Sequence, residues 1–218
     1  MTYPKNLENA KRIAHESNSI IQNDTEEKGS RWNSLRSWEI ASLSGTHGMV
    51  LQDDLELCGN FMTAVYKVVT LFPTYFISIF NPYPHVKNIE KYNELYSTHY
   101  SFTKHRLFPF GHAWIIPQCS IVQMLDWISL HINPTPFGDP MYSLFHWHNE
   151  IEILSPIYSL VQNTGSRKTS YKPNQGSGAR APLVCKDGIT HKFHKQVVVS
   201  NPDKEVLTWL NKWSPYLK

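Results

Sequence analysis

The sequence predicts an α+β fold: a single domain with a mainly antiparallel sheet flanked by helices. Apolar residues recur at three- and four-residue steps in two segments, 53–71 and 118–132, which is the spacing of an amphipathic helix. Short runs rich in β-branched and aromatic residues, such as 75–80 and 195–200, are typical of strands. The length of 218 residues, of which 41% are hydrophobic, suits one domain with a sizeable core.

The chain divides into a polar N-terminal segment and a longer folded part. Residues 5–22 are polar with one weak apolar stripe and predict a helix, and residues 23–31 predict a loop. We therefore expect residues 1–31 to form a polar helix and loop, followed by a single globular domain at 32–218.

The clearest predicted helix begins at Asp53 and Asp54. Carboxylates are stabilised at the positive end of the helix dipole, and Pro73 ends the apolar periodicity that follows. The other predicted elements are, in chain order, a strand at 75–80, a helix at 86–97, a strand at 112–116, a helix at 118–132, strands at 142–154, 183–185 and 195–200, and a helix at 203–213. We expect the last three strands to belong to one antiparallel sheet.

Positive charge is concentrated late in the chain. The net charge is only +3, but the segment 167–195 carries seven Lys or Arg residues against Asp187 alone. Residues 162–182, which overlap this segment, predict a flexible basic loop. Such a segment favours a nucleic-acid partner or another anion. The candidate contacts are Arg167, Lys168, Lys172 and Arg180.

The cysteine pattern and the N-terminus point to an intracellular protein. Cys58, Cys119 and Cys185 are widely spaced and form no C-x-x-C pair, which fits a reducing compartment. No apolar leader or membrane span is visible, so we expect a cytoplasmic or nuclear location without membrane contact. The abundance of Asn, Ile, Tyr and Lys suggests an AT-rich coding sequence, viral or from a microbial eukaryote.

One segment carries the pattern of a metal site. If 142–154 is a strand, its period of two places His146, His148, Glu150 and Glu152 on one face. Two imidazoles and a carboxylate on one face would bind a divalent metal, with His191 or His194 as a further ligand.

This pattern resembles the cupin family. His146-x-His148 followed by Glu152 is similar to the first cupin metal motif, and the run from Gly188 to Phe193 is similar to the second. The resemblance implies that His146, His148, Glu152 and His191 bind iron, manganese, zinc or nickel. It also implies a dioxygenase, an isomerase, or a binding module without catalysis.

A second resemblance involves the same histidines. His146-Trp147-His148 looks like the metal motif of HUH nucleases, which nick single-stranded DNA through a tyrosine. This resemblance implies Asp139 as a further ligand and Tyr171 or Tyr216 as the nucleophile. The basic segment would then follow the phosphate backbone.

Two further interpretations remain open, so the sequence does not decide whether the protein is an enzyme. Cys58, near the start of a predicted helix, would be an activated nucleophile with His112 as base and Asp126 as the orienting carboxylate. Alternatively, the 13% aromatic content suits a non-enzymatic protein, for instance a viral one, that binds a host factor or another protein partner.

Overall fold

The α+β prediction is confirmed. The computed structural model describes residues 6–43, 45–83, 86–106, 111–134, 138–164, 180–199, 208 and 211–218. In these stretches the helices are α1 (Leu7–Ser17), α2 (Ser30–Ala41), α3 (Phe61–Leu71), α4 (Val86–Tyr96), α5 (Gln118–His131) and α6 (Asp139–His148). The strands are β1 (His47–Leu51), β2 (Leu55–Leu57), β3 (Phe76–Ser78), β4 (Tyr100–His105), β5 (Ala113–Pro117), β6 (Ile153–Pro156), β7 (Val161–Asn163) and β8 (Gln196–Val199).

The main sheet has six strands in the order β1-β5-β3-β6-β4-β8. Three neighbouring pairs are antiparallel, namely β1 with β5, β3 with β5, and β4 with β6. The β3–β6 and β4–β8 pairs are parallel. Strands β2 and β7 form a separate two-stranded antiparallel sheet. The sheet is therefore mainly antiparallel, as predicted.

Each face of the main sheet carries its own apolar layer. Because side chains alternate along a strand, Phe76 and Ile153 point to one face while Ile77 and Leu154 point to the other. The first layer packs against α2, α5 and α6, and the second packs against α1 and α3. Helices thus cover both faces of the main sheet.

The N-terminal helix α1 packs onto the small sheet. Ile13 is buried in the second apolar layer. The side chains of Asn9 and Arg12 donate hydrogen bonds to the carbonyl of Leu55 at 3.2 and 2.8 Å. The placement of a domain boundary near residue 31 stays a prediction.

The predicted start of the helix at 53–71 is wrong. Asp53 and Asp54 lie in a turn, and Leu55–Leu57 forms strand β2. Helix α3 begins only at Phe61, after Asn60 in the left-handed conformation. The reason lies in the tertiary structure. Leu55 is completely buried and pairs with Asn163 of β7, and the local spacing of apolar residues carries no information about this distant strand partner.

The predicted strand at 142–154 is also wrong over most of its length. Residues 139–148 form α6, Glu150 turns the chain with a φ of 53°, and only Ile153–Pro156 is a strand. Pro140 in the first turn suits a helix start. Every residue from Pro140 to His146 is buried. This helix therefore lacks the alternation of apolar and polar faces from which a helical period is recognised in a sequence.

The C-terminal predictions had mixed outcomes. Strand β8 lies within the predicted 195–200 segment. The predicted strand at 183–185 is wrong, because Val184 forms only an isolated bridge with Ser159. Most of 203–213 lies outside the described residues, although 211–213 are helical. No helix in the described stretches is long and apolar enough to cross a membrane.

Candidate functional site

His146, the first predicted metal ligand, is a core residue. It is 0% exposed, and its ring lies 4.6 Å from the Trp114 ring and 5.0 Å from the Phe76 ring between centroids. Neither ring nitrogen has a hydrogen-bond partner among the described residues. Burial lowers the pKa of His146 to about 3, because the charged imidazolium would lose its hydration.

His148 and Glu152 point elsewhere. Residues two apart on a helix are rotated by about 200°, so the exposed His148 faces away from His146. Its ring lies 5.2 Å from the ring of Trp127. The Glu152 carboxylate forms an ion pair with Lys104 at 2.8 Å.

His191 lies on the other side of the sheet. Its ring is 4.6 Å from Phe193, which packs against the second apolar layer, whereas Trp127 beside His148 belongs to the first. The four predicted ligands therefore do not form one cluster. Over the part of the chain that the structure describes, no three His, Cys, Asp or Glu side chains come close enough to hold a metal ion. Metal binding stays a prediction.

Most of the predicted anion contacts cannot be placed. Arg167, Lys168 and Lys172, together with the proposed nucleophile Tyr171, lie outside the described residues. Arg180 is exposed, and its guanidinium donates to the carbonyl of Thr164 at 3.3 Å. The second proposed nucleophile, Tyr216, lies in a 3₁₀ turn (Ser214–Tyr216), where its ring packs beside Trp213.

The prediction that Cys58 is an acidic thiol is wrong. Cys58 precedes α3 rather than lying in its first turn. A hydrogen bond to Cys185, together with burial, raises the pKa of the Cys58 thiol. The same hydrogen bond lowers the pKa of Cys185, and the burial of that thiol opposes the change.

A polar cluster that the sequence patterns did not identify lies where β1 ends, β5 begins and α6 begins. Its centre is His112, which is 6% exposed and whose ring lies 4.9 Å from the Phe80 ring. Asp139, in the first turn of α6, interacts electrostatically with His112 and accepts a hydrogen bond from the Gly111 backbone N–H. A β-carbon added to Gly111 would fall on Oδ1 of Asp139, so glycine permits this close approach.

Asp54 is the third titratable group of this cluster. The backbone N–H of Gln52 donates to the carbonyl of His112 at 3.0 Å, which ties the turn containing Asp54 to the start of β5. Burial, and then the charge of Asp53, raise the pKa of Asp54 to about 6. Its Oδ1 atom is buried without a hydrogen-bond partner in the described residues.

The charges of the cluster influence one another. Burial raises the pKa of Asp139, His112 opposes that rise, and Asp54 adds to it. Burial lowers the pKa of His112, against the opposing effect of Asp139. A buried imidazole, a carboxyl group that interacts with it electrostatically and a second carboxyl group with a pKa of about 6 are the kinds of groups that supply a base and an acid.

A neighbouring hydrogen bond fixes the helix that carries Asp139. The hydroxyl groups of Ser34 on α2 and Tyr142 on α6 are 2.6 Å apart. A β-carbon on Gly138 would lie 2.7 Å from Oγ of Ser34, so the two helices meet closely at this point. The position of Asp139 is therefore set by helix packing rather than by a loop.

A surface groove lies between α3 and the segment 191–194, with a volume of about 440 Å³. The Lys67 ammonium holds that segment against α3 by donating to the carbonyls of Gly188, Ile189 and His191 at 2.8, 2.7 and 3.1 Å. The lining combines aromatic and basic side chains, including Tyr66, Lys67, His191, Lys192, Phe193 and His194. This groove contains the described end of the predicted basic segment.

No protein-family model matches the chain, and no curated protein is significantly similar to it. Functional assignment therefore depends on geometry and chemistry.

Proposed function

We propose that the protein is an acid–base enzyme, a hydrolase, with its polar centre at His112, Asp139 and Asp54. The observation that supports this proposal is that one buried imidazole and two partly buried carboxyl groups lie together at a single helix–sheet junction. Perturbed titration within one cluster is typical of catalytic sites.

Each residue would have a distinct role. Asp139, positioned by the Gly111 N–H, would fix the orientation and tautomer of His112. Because its pKa is lowered, His112 would be neutral near pH 7 and would accept a proton from an attacking water molecule. Asp54, with a pKa of about 6, would donate a proton to the leaving group.

A purely structural role explains the cluster less well. Burying ionisable groups costs free energy, and an unpaired buried oxygen such as Oδ1 of Asp54 adds to that cost. Apolar side chains of similar size would stabilise this junction better. A cluster that lowers stability in this way is expected where function requires it.

The test is a hydrolysis screen on the full chain with p-nitrophenyl esters, phosphoesters and glycosides. We expect at least one class to be hydrolysed, with a rate that falls above pH about 6 as Asp54 loses its proton. Asp139→Asn and His112→Gln are expected to lower kcat/KM by about 100-fold or more. Glu56→Gln, at an exposed position on β2, is the control and should keep full activity. Hydrolysis of none of the three classes, or full activity in both variants, would exclude the proposal.

A second candidate function is the binding of single-stranded nucleic acid in the groove between α3 and 191–194. Tyr66 is 74% exposed and is available for base stacking. The imidazoles of His99 and His194 stack at 4.7 Å near the basic side chains of Lys192 and Lys195. These features support the nucleic-acid partner that the basic segment 167–195 predicts.

Fluorescence anisotropy with a labelled single-stranded oligonucleotide tests this second function. Binding is expected to weaken steeply with salt, because neutralising each phosphate releases counterions. Tyr66→Ala should lower the affinity by about 10-fold, since stacking contributes roughly 1–3 kcal/mol per base. Tyr92→Ala on α4, also at an exposed tyrosine, is the matched control. Equal losses from the two substitutions would argue against this groove.

A further inference from the structure

Cys58 and Cys185 are held side by side by the backbone, although they are far apart in sequence. The N–H of Cys58 donates to the carbonyl of Leu160 at 2.9 Å, and the N–H of Cys185 donates to Ser159 at 2.8 Å. Both cysteines are therefore anchored to consecutive residues of one backbone segment.

The residues that follow the two cysteines extend this contact. The N–H of Gly59 donates to the carbonyl of Lys186 at 3.1 Å, and the N–H of Gly188 donates back to Gly59 at 2.7 Å. Gly59 and Asp187 form a parallel β-bridge. The register of this bridge places Cys58 opposite Lys186, one residue from Cys185, and the two cysteine side chains are in hydrogen-bonding contact.

The two sulfur atoms differ in their surroundings. The two thiol groups share a hydrogen bond. The sulfur of Cys185 also accepts from the backbone N–H of Asp187 and lies near the positive charge of Lys67, and together with the hydrogen bond to Cys58 these contacts outweigh the opposing effects of burial and the Asp187 carboxylate. The environment thus stabilises a thiolate at Cys185 and keeps the proton on Cys58. The side chains are nearly enclosed, with Cys58 7% and Cys185 2% exposed.

We propose that Cys58 and Cys185 form a redox-reactive pair that hydrogen peroxide converts reversibly into a disulfide. The Cys185 thiolate attacks one peroxide oxygen, the O–O bond breaks, and hydroxide leaves, which gives a sulfenic acid. Cys58 then attacks the sulfenic sulfur, and its own proton leaves with the hydroxyl group as water. Overall, two thiols lose two electrons to peroxide, and two water molecules form. This inference is independent of the acid–base proposal.

The disulfide would join two elements that build the groove. Cys58 leads into α3, which carries Tyr66 and Lys67. Cys185 leads into the segment that Lys67 holds through its three carbonyl contacts. Oxidation would therefore link the segment that leads to residues 191–194 covalently to the start of α3 and restrict the movement of one side of the groove relative to the other. The enclosure of both sulfurs favours a small oxidant such as peroxide over a glutathione-sized disulfide.

Mass spectrometry of the full chain after peroxide treatment and non-reducing trypsin digestion tests the pair. We expect the peptides 37–67 and 181–186 to be linked, with the loss of two hydrogen atoms and recovery by dithiothreitol. The experiment is performed in a Cys119→Ser background, because Cys119 is exposed and would form intermolecular disulfides. Absence of the linked peptide, while either cysteine is oxidised to sulfinic acid, would overturn the proposal.

The order of attack is tested with single substitutions. Cys58→Ser is expected to accumulate a sulfenic acid at Cys185 that dimedone traps, whereas Cys185→Ser should leave Cys58 at least 10-fold less reactive. Iodoacetamide labelling of the reduced protein should likewise modify Cys185 before Cys58. Faster labelling of Cys58 would contradict the assignment of Cys185 as the attacking sulfur.

Discussion

Substitution of His146 by phenylalanine is expected to remove much of the acid sensitivity of the fold. Burial lowers the pKa of His146 from 6.5 to about 3, so the unfolded chain binds a proton that the folded protein excludes. Stability is therefore lost as the pH falls from 6.5 towards 3. Each pKa unit corresponds to about 1.4 kcal/mol, so the full loss approaches roughly 5 kcal/mol.

Urea unfolding at pH 7 and pH 4.5 measures this effect. Over that interval the wild type should lose about 3 kcal/mol more than His146→Phe. Phenylalanine is slightly larger than histidine, and His146→Leu covers the case in which it does not fit between Trp114 and Phe76. Identical pH slopes in the wild type and both variants would contradict the buried neutral imidazole.

His148→Phe is the matched control, since it changes an exposed histidine on the same helix. Its stability should follow the wild-type pH dependence. If the predicted metal site exists, a divalent metal should raise the Tm of the wild type. Both His146→Phe and His148→Phe should then abolish that rise. One set of variants thus separates a core histidine from a metal ligand.

Asp54→Asn is expected to stabilise the protein at alkaline pH. Burial raises the pKa of Asp54 from 3.8 to about 6, so the folded state retains a proton that the unfolded chain releases. Stability is therefore lost as the pH rises from about 4 to 6, and the accumulated loss approaches roughly 3 kcal/mol. Asparagine has no charge to bury, so the gain should be present at pH 8 and small at pH 4.

Thermal or urea unfolding at these two pH values checks the Asp54 prediction. Glu56→Gln, two residues away and exposed, should change stability little at either pH. If Asp54 also acts as the catalytic acid, the stabilised variant should lose hydrolytic activity. A gain of stability at the cost of activity is expected at a functional site. If Asp54→Asn instead destabilises the protein relative to wild type, and does so more at pH 8 than at pH 4, the Asp54 charge stabilises the fold and the prediction is wrong.

The elements predicted well from the sequence have one apolar face and end at a residue that breaks helices or strands, such as proline. Helix α5 follows the predicted 118–132 segment closely, and β3 lies within the predicted 75–80 segment. In these elements, local periodicity and tertiary burial agree. Where a segment is buried on all sides, as in α6, the periodic signal disappears because no polar face remains.

The candidate site could not be derived in the same way. Asp54, His112 and Asp139 share no motif, and the sequence predicts a separate role for each: a helix start, a base for Cys58 and a metal ligand. Only the pairing of β1 with β5 and the packing of α6 against the sheet bring them together. The signals present in the sequence were Gly111 before His112 and Asp139 before Pro140, and neither spacing specifies a partner.

The amino-acid sequence by itself determined the α+β class, the mainly antiparallel sheet and several element positions. These depend on side-chain periodicity and proline placement, which act over a few residues. The tertiary structure alone decided that residues 139–148 are helical, that His146 is buried, and that Cys58 meets Cys185. Those outcomes depend on which apolar surfaces pack against each other and exclude water. That packing is decided by contacts between segments that are distant in the chain.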